Sequence, residues 1–311
     1  MNILISSASA KLSLIEGFRA ALSTLKLPGK IIAADSNPDV AAAQFADEFV
    51  RQPDDGTDDY VGMWLQICRQ HKIDLLVPTR DAELIPLAML AETLQSIGVR
   101  VLVPPPKPLL ICLDKIKFYE FCVANNFPVL PRVIHPAASD LPLFLRPRSD
   151  AGSKAARAIL TEQDLEKLNE EMLLQPLCTA VEFSIDTLFS LDGRPLQAVV
   201  RERIEVVNGE SVVTRIGDYP QLSDLALRLG VALGLSGPAV VQCFYNEKIG
   251  PQLIECNPRF GGASMVSVSA GLASCERILL QLMGRDEQAC RQRAIAIGEL
   301  IDRRLATGVS G

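Results

Sequence analysis

The chain predicts an α/β protein: a parallel-sheet unit first, then units in which antiparallel strands and helices mix. Two observations carry this. Over the first hundred residues, short apolar strand runs alternate with helix-length amphipathic stretches. Farther on, strand runs follow each other across short polar turns, as in Leu141–Pro147 with Ala156–Leu160 and Ala239–Tyr245 with Gln252–Cys256.

Asn2–Ser6 reads as a buried strand, Lys11–Leu25 as an amphipathic helix, and Lys30–Ala34 as a strand ending at the turn Asp35-Ser36-Asn37-Pro38. Asp58–Gln70 is a helix, Ile73–Val77 a strand stopped by Pro78, Glu83–Ile97 a helix, and Arg100–Val103 the closing strand. Strands spaced by helices form a parallel sheet through right-handed crossovers, and ligands gather at the strands' carboxyl ends. Ser6, Ser7, Asp35, Arg80, Asp81 and Glu83 fall there, although Asp81 and Glu83 serve equally well as helix caps.

Composition excludes several classes. The 311 residues are 48% hydrophobic, enough for two or three packed units. The net charge is -6, and no basic run or aromatic-interleaved basic stripe occurs, which argues against nucleic acid as the main partner. The eight cysteines form no CxxC pair, so free thiols in a reducing cytosol are expected. The start has no basic leader and no apolar run reaches membrane-spanning length, so a cytoplasmic protein that does not engage a membrane is expected. Ser6–Ala10 lacks the glycine spacing of a dinucleotide site, GxxxxGK[ST] is absent, and His71 and His135 offer no credible nucleophile–base pair.

Pro104–Pro108 reads as a stiff linker and domain boundary. A helix follows with Asp114 in cap position and Lys115 in its first turn, where a solvated lysine is the default. Arg146 lies in the apolar strand Leu141–Pro147, where an isolated charge is costly unless paired or ligand-facing. The loop Ser149–Lys154 holds one glycine, Gly152, beside Ser153, and a small-residue loop between strands can donate backbone N–H groups to phosphate. Leu173–Leu177 is another strand end, carrying Gln175. Val181–Asp186 alternates strictly: Glu182, Ser184 and Asp186 face one way, on an exposed face or in a site, and Phe183 and Ile185 face the core. Arg201 and Arg203 follow the strand Leu196–Val200, share a face, and with Arg215 suit a carboxylate or a solvated sheet edge. Leu222–Leu235 and Cys275–Met283 are helices.

The most informative segment runs from Pro238 to Gly262. On its hairpin Glu255 and Asn257 point the same way, Gln242 can face them from the partner strand, and Arg259 lies alongside. Such hard oxygens suit Mg²⁺ shared with nucleotide phosphates, while the segment alone also fits a surface hairpin.

The run Gln242…Glu255-Cys256-Asn257-Pro258-Arg259 resembles the metal-binding end of an ATP-grasp domain, especially that of carbamoyl-phosphate synthase large subunits. The likeness spans about residues 110–285. It implies an ATP-grasp fold with an α+β lid, preceded by a Rossmann-like domain, divided as 1–106, 107–178 for the lid and 179–311 for the central part. It further implies that Gln242 and Glu255 hold one Mg²⁺ (or Mn²⁺), and that Glu255 and Asn257 hold a second. Lys115, Arg146, Gly152 and Ser153 would meet ATP phosphates, main-chain groups around Gln175 and Leu177 the adenine, and Glu182 the ribose. Arg259, Arg203 and Arg201 would orient an acceptor carboxylate. Gln242, where many relatives are acidic, and Arg146, where most carry lysine, both match the synthase-like branch. The implied activity is an ADP-forming ligase joining a small carboxylate to an amine, with a homodimer as the candidate assembly. The alternatives are phosphorylation of bicarbonate or carbamate, and a nucleotide-binding regulatory protein.

Overall fold

The computed structural model describes residues 1–54, 56–149, 156–165, 172–286 and 295–306. Its first sheet is parallel and contains β1 (Asn2–Ile5), β2 (Ile31–Asp35), β3 (Glu48–Arg51), β4 (Ile73–Val77) and β5 (Arg100–Val101), in the order β3-β2-β1-β4-β5. Helices α1 (Leu12–Thr24), α2 (Ala41–Phe45), α3 (Tyr60–Gln70) and α4 (Asp81–Gln95) make the crossovers. Ile3, Leu4 and Ile5 are all fully buried, as an unbroken apolar run in a sheet covered on both faces requires. The short α2 and the edge strand β3 have no counterpart in the sequence reading. Ala41–Phe45 is too short for helical periodicity, and Glu48–Arg51 carries two charges in four residues.

The proline-rich stretch is not a linker. Residues Pro106–Cys112 form α5, followed directly by α6 (Lys115–Ala124). Prolines in a first turn lose nothing, because the N–H groups they lack have no intrahelical partner there. Asp114 caps α6 as expected, accepting from the N–H groups of Ile116 and Lys117 at 3.1 Å each.

A small antiparallel sheet follows: β6 (Leu143–Pro147), β7 (Arg157–Ile159) and β8 (Met172–Pro176), in the order β7-β6-β8, with α7 (Glu162–Leu165) between β7 and β8. The third sheet comprises β9 (Val181–Phe189), β10 (Pro195–Val207), β11 (Glu210–Gly217), β12 (Gly237–Asn246), β13 (Gly250–Asn257) and β14 (Leu300–Asp302). Its order is β13-β12-β9-β10-β11-β14, all antiparallel. Helix α8 (Pro220–Leu233) covers one face; α9 (Ser264–Ser269) and α10 (Ser274–Leu282) pack toward the first sheet, and α11 (Arg303–Ala306) ends the description.

The first and third sheets share one core. Ile15 and Phe18 of α1 pack with Phe260, Ile278 and Leu279, and the Phe18 and Phe260 rings meet edge-on at 6.0 Å. Full burial of each such side chain contributes about 1.5–3 kcal/mol. A Cβ on Gly17 would lie 2.1 Å from Met265 Cε, so the methionine of α9 packs directly on α1 at this glycine. This joint fixes Arg259, the neighbour of Phe260, against the rim of the parallel sheet. Among the described residues, no helix is long and apolar enough to cross a membrane.

Candidate active site

Strand register builds the site. Glu255 pairs with Gln242, Gln242 with Ser184, and Ser184 with Arg201, so these four stand abreast on β13, β12, β9 and β10. On the same face, one step along the pleat, come Glu182 and Arg203 on one side and Asn257 and Asp186 on the other. Ser184 and Asp186 are 3% and 1% exposed, so the alternative of an exposed strand face for β9 is set aside: β9 is central and covered on both faces.

The small sheet reaches this row through Arg146. The side chain is 7% exposed; Nη1 donates to the Ile254 carbonyl at 3.0 Å and Nη2 to Glu255 Oε2. The expectation that this strand cation is paired or ligand-facing is met by a carboxylate from another sheet. Burial pushes Glu255 up, but Arg146, then Lys115, the Asn257 amide and Arg203 outweigh it and hold the carboxyl below its usual range. Glu255 is thus an anion ringed by cations.

Arg203 donates from Nη1 to Gln242 Oε1 at 2.9 Å, lies 3.2 Å from Glu182 Oε1, and donates from Nη2 to the Gly209 carbonyl at 2.8 Å. Arg201, 2% exposed, donates from Nε to Asp186 Oδ2 at 2.7 Å and to Ser267 Oγ at 3.0 Å. The two arginines lie inside β10 rather than after it, and neither is on a solvated edge. Arg201 Nη1 and Arg203 Nε are buried without a partner. An unmet buried donor costs about 1–3 kcal/mol, more when charged. Arg259 donates from Nε to Asp81 Oδ1 at 2.5 Å, so a residue at the parallel-sheet rim holds a residue of the central site. Glu83, by contrast, does cap α4, accepting from the Thr79 and Arg80 N–H groups at 2.6 and 2.9 Å.

A cavity of about 130 Å³ is lined by Arg201, Arg203 and Arg259 together with Gln242, Glu255 and Asn257. It shares Gly262 and Ala263 with a larger cavity of about 730 Å³ against α1 and α9. Where they meet, a Cβ on Gly262 would lie 2.6 Å from the Glu210 carboxylate.

The oxygens expected to hold metal come together, but with partners of their own. Glu255 Oε2 is held by Arg146, Glu255 Oε1 accepts from Asn257 Nδ2 at 3.1 Å, and Gln242 Oε1 accepts from Arg203. In this geometry guanidinium and amide donors meet Gln242 and Glu255. Among the described residues no group of three or more His, Cys, Asp or Glu gathers as a metal cluster. One carboxylate flanked by two amides still fits Mg²⁺, which takes one or two protein carboxylates and completes its shell with water and phosphate.

On the expected adenine side, Gln175 and Leu177 both have partners within the chain. Gln175 is buried, and its Nε2 donates to the Leu130 carbonyl at 2.7 Å. The Leu177 N–H donates to the Pro142 carbonyl at 3.0 Å, so the donor half of its expected hinge contact is already engaged. Lys115 opens α6, and its N–H donates to the Arg148 carbonyl at 2.9 Å. Gly152 and Ser153 lie outside the described residues.

Several residues escaped the sequence reading. Lys11 stands at the start of α1 near Arg259, Glu210, Arg303 and Asp81; burial and then the Arg259 charge push its ammonium down. Ser264 and Ser267 reach Asp186 from α9, a contact across about 80 residues that leaves no local signal. Asp186 stood in the alternating strand, on the face that the sequence left open between solvent and a site.

A family model for a PylC-like N-terminal domain matches residues 3–102, and one for ATP-grasp in the biosynthetic pathway with Ter operon matches residues 168–299. The 3-methyl-D-ornithine–L-lysine ligase of Methanosarcina barkeri is 25% identical over 257 residues, which cover 79% of this chain and 64% of that protein. The chain therefore spans under two thirds of that relative's length. Biotin carboxylase from Campylobacter jejuni, solved as a β,γ-ATP complex, superposes with a TM-score of 0.72 over 92% of this chain and 71% of its own, at 14% identity. L-amino acid ligase from Bacillus licheniformis gives a TM-score of 0.68 over 93% and 75%, at 16% identity. The α/β fold expected from the sequence, here a parallel sheet followed by antiparallel ones, is the fold these proteins share.

Proposed function

We propose that the chain is an ATP-grasp protein, an ADP-forming ligase that joins a small carboxylate to an amine with ATP and Mg²⁺, or Mn²⁺ in its place. The observation that carries this reading is the row Glu255, Gln242, Ser184, Arg201, crossed by Arg146 from the small sheet and flanked by Arg203 and Arg259. Each of these guanidiniums meets a carboxylate of its own, Arg146 with Glu255, Arg201 with Asp186, Arg203 with Glu182 and Arg259 with Asp81, and the buried Arg201 Nη1 and Arg203 Nε keep donors without an acceptor, suited to an incoming oxyanion. The names of the curated relative and of the L-amino acid ligase support the same reaction class.

In this reading Arg146 and Lys115 hold the nucleotide phosphates together with Gly152 and Ser153, Gln175 and Leu177 meet the adenine, and Glu182 the ribose. Glu255, Asn257 and Gln242 hold the metal, which when bound neutralises phosphate charge. Arg259, Arg203 and Arg201 orient the acceptor so that a carboxylate oxygen attacks the γ-phosphorus in line. The bond from γ-phosphorus to the bridging oxygen breaks and ADP leaves. The amine then attacks the acyl carbon, phosphate departs, and the amine gives up a proton to solvent. The larger cavity beyond Gly262 gives the amine an approach.

We also read the chain as cytosolic, as divided at residues 106 and 178, and as a homodimer, which sedimentation tests. ADP release against a panel of amino acids and small carboxylates, each with and without amines, tests the activity. ADP formed only with a carboxylate plus an amine is the expected result. Bicarbonate-dependent ADP points to the synthase-like alternative, and tight ATP binding without ADP from any mixture points to a regulatory protein.

A further inference from the structure

Asp186 is among the least exposed charges in the molecule, at 1%, and it accepts from three side chains. Arg201 Nε and Ser267 Oγ donate to Oδ2 at 2.7 and 2.6 Å, and Ser264 Oγ donates to Oδ1. Ser264 Oγ in turn accepts from the Gly261 N–H at 2.7 Å. Arg201, Ser264 and Ser267 are 2%, 3% and 0% exposed, so the network is shielded from bulk solvent. It joins β9 and β10 to the turn after Arg259 and to α9.

The network is closed on one side only. Asp186 satisfies Arg201 at Nε, while Nη1 stays buried with no acceptor, and Arg203 Nε is in the same condition. Both arginines line the same cavity of about 130 Å³. Buried cationic donors without acceptors are strongly disfavoured unless a ligand supplies the oxygens. A guanidinium keeps one orientation only if another part of it is pinned, and Asp186 does the pinning.

We propose that Asp186 is a positioning residue that aims Arg201 Nη1, from the strand face it shares with Arg203, at a single small oxyanion, and that this subsite takes the acceptor's carboxylate and then its phosphorylated form rather than the nucleotide. The inference rests on the ligase reading above for the identity of the acceptor, but not for the clamp itself. The neighbouring serines fix which face of Asp186 meets Arg201 and tie the clamp to the turn that carries Arg259.

Inorganic phosphate is the probe. Its affinity is measured by calorimetry on the full chain with MgADP saturating, and MgADP affinity is measured separately. Arg201→Ala should weaken phosphate about tenfold or more, the scale of a charge-assisted hydrogen bond. Asp186→Asn should weaken it severalfold, and the double variant should be no worse than Arg201→Ala alone, since Asp186 acts through Arg201. MgADP affinity should stay within about twofold throughout, which a merely structural loss would not allow. Additive losses, or wild-type phosphate affinity in Asp186→Asn, overturn the proposal. Should Asp186→Asn not fold, Ser267→Ala removes one hydroxyl from the same network: a selective loss of phosphate affinity supports the proposal and unchanged affinity overturns it. Wild-type protein that binds MgADP but no phosphate removes the clamp and leaves the ligase reading standing. Protein that binds phosphate through Arg201 but no nucleotide keeps the clamp and removes the ATP-dependent reading.

Discussion

Two polar clusters in this molecule look alike in the sequence and behave oppositely in the fold. At the rim of the parallel sheet, Glu83 accepts from two backbone N–H groups and the Ser7 hydroxyl. Asp35 accepts from the Ser9 and Asn37 N–H groups, and Gln52 exchanges hydrogen bonds with Ser7. Apart from the buried Ser6 hydroxyl, that cluster is satisfied from within. On the central sheet the charges are as buried, yet Arg201 and Arg203 each keep a donor unmet. A satisfied cluster holds a fold together; an incompletely satisfied one is poised for something the chain does not itself provide.

The sharpest way to break this contrast is Glu255→Gln, which removes the carboxylate that Arg146 meets while keeping its shape. ADP release should fall about 10²–10³-fold with the circular dichroism spectrum unchanged. Retained turnover would remove Glu255 from the site. Next in size, Glu83→Ala should cost about 2–4 kcal/mol in urea unfolding, because three donors lose a buried acceptor, and should leave nucleotide affinity alone. A loss of affinity without a loss of stability would mean the rim cluster binds ligand after all.

Opposite pH slopes sharpen the comparison further. Burial raises Glu83 above its usual value of 4.5, against the hydrogen bonds from Arg80, Thr79 and Ser7, so the folded state holds the proton more tightly than the unfolded. Its contribution is present below 4.5 and is lost as pH rises through the raised value. Glu255 is held below 4.5, so its contribution is present above that value and is lost as pH falls through the lowered one. Urea titrations across pH should therefore show Glu83→Gln flattening the upper side and Glu255→Gln the lower; a variant that changes the wrong side contradicts its assignment. Divalent metal offers a smaller handle. With Glu255 and Gln242 engaged by guanidiniums, Mn²⁺ followed by electron paramagnetic resonance should bind at least about tenfold more tightly with ADP than without. Equal binding would show a preformed metal site. The smallest effect is Arg228→Ala on the exposed face of α8: its pair with Asp224 should be worth at most about 0.5 kcal/mol by thermal melt.

Much of this was legible from local pattern. The strand–helix alternation to Val103, the Asp114 cap and the Gln242–Glu255–Asn257 hairpin all depend on neighbours in sequence, or on strands joined by one turn. The helix at Pro106 was hidden because proline permits a first turn as readily as it marks a linker. Edge strands β3 and β14 are short and charged or far from their partners, so period-two alternation had little length in which to register. The pairings of Arg146 with Glu255, Arg259 with Asp81 and Asp186 with Arg201 could not be read at all.

By itself, then, the order of residues settled the fold class and which residue types were available for phosphate and metal chemistry. Periodicity, caps and turns act within a few residues and need no other part of the chain. Only tertiary packing decided which cations are spoken for and which keep a free donor. That outcome depends on acceptors brought from over a hundred residues away in the case of Arg146, and on burial, which no single segment possesses before the sheets assemble.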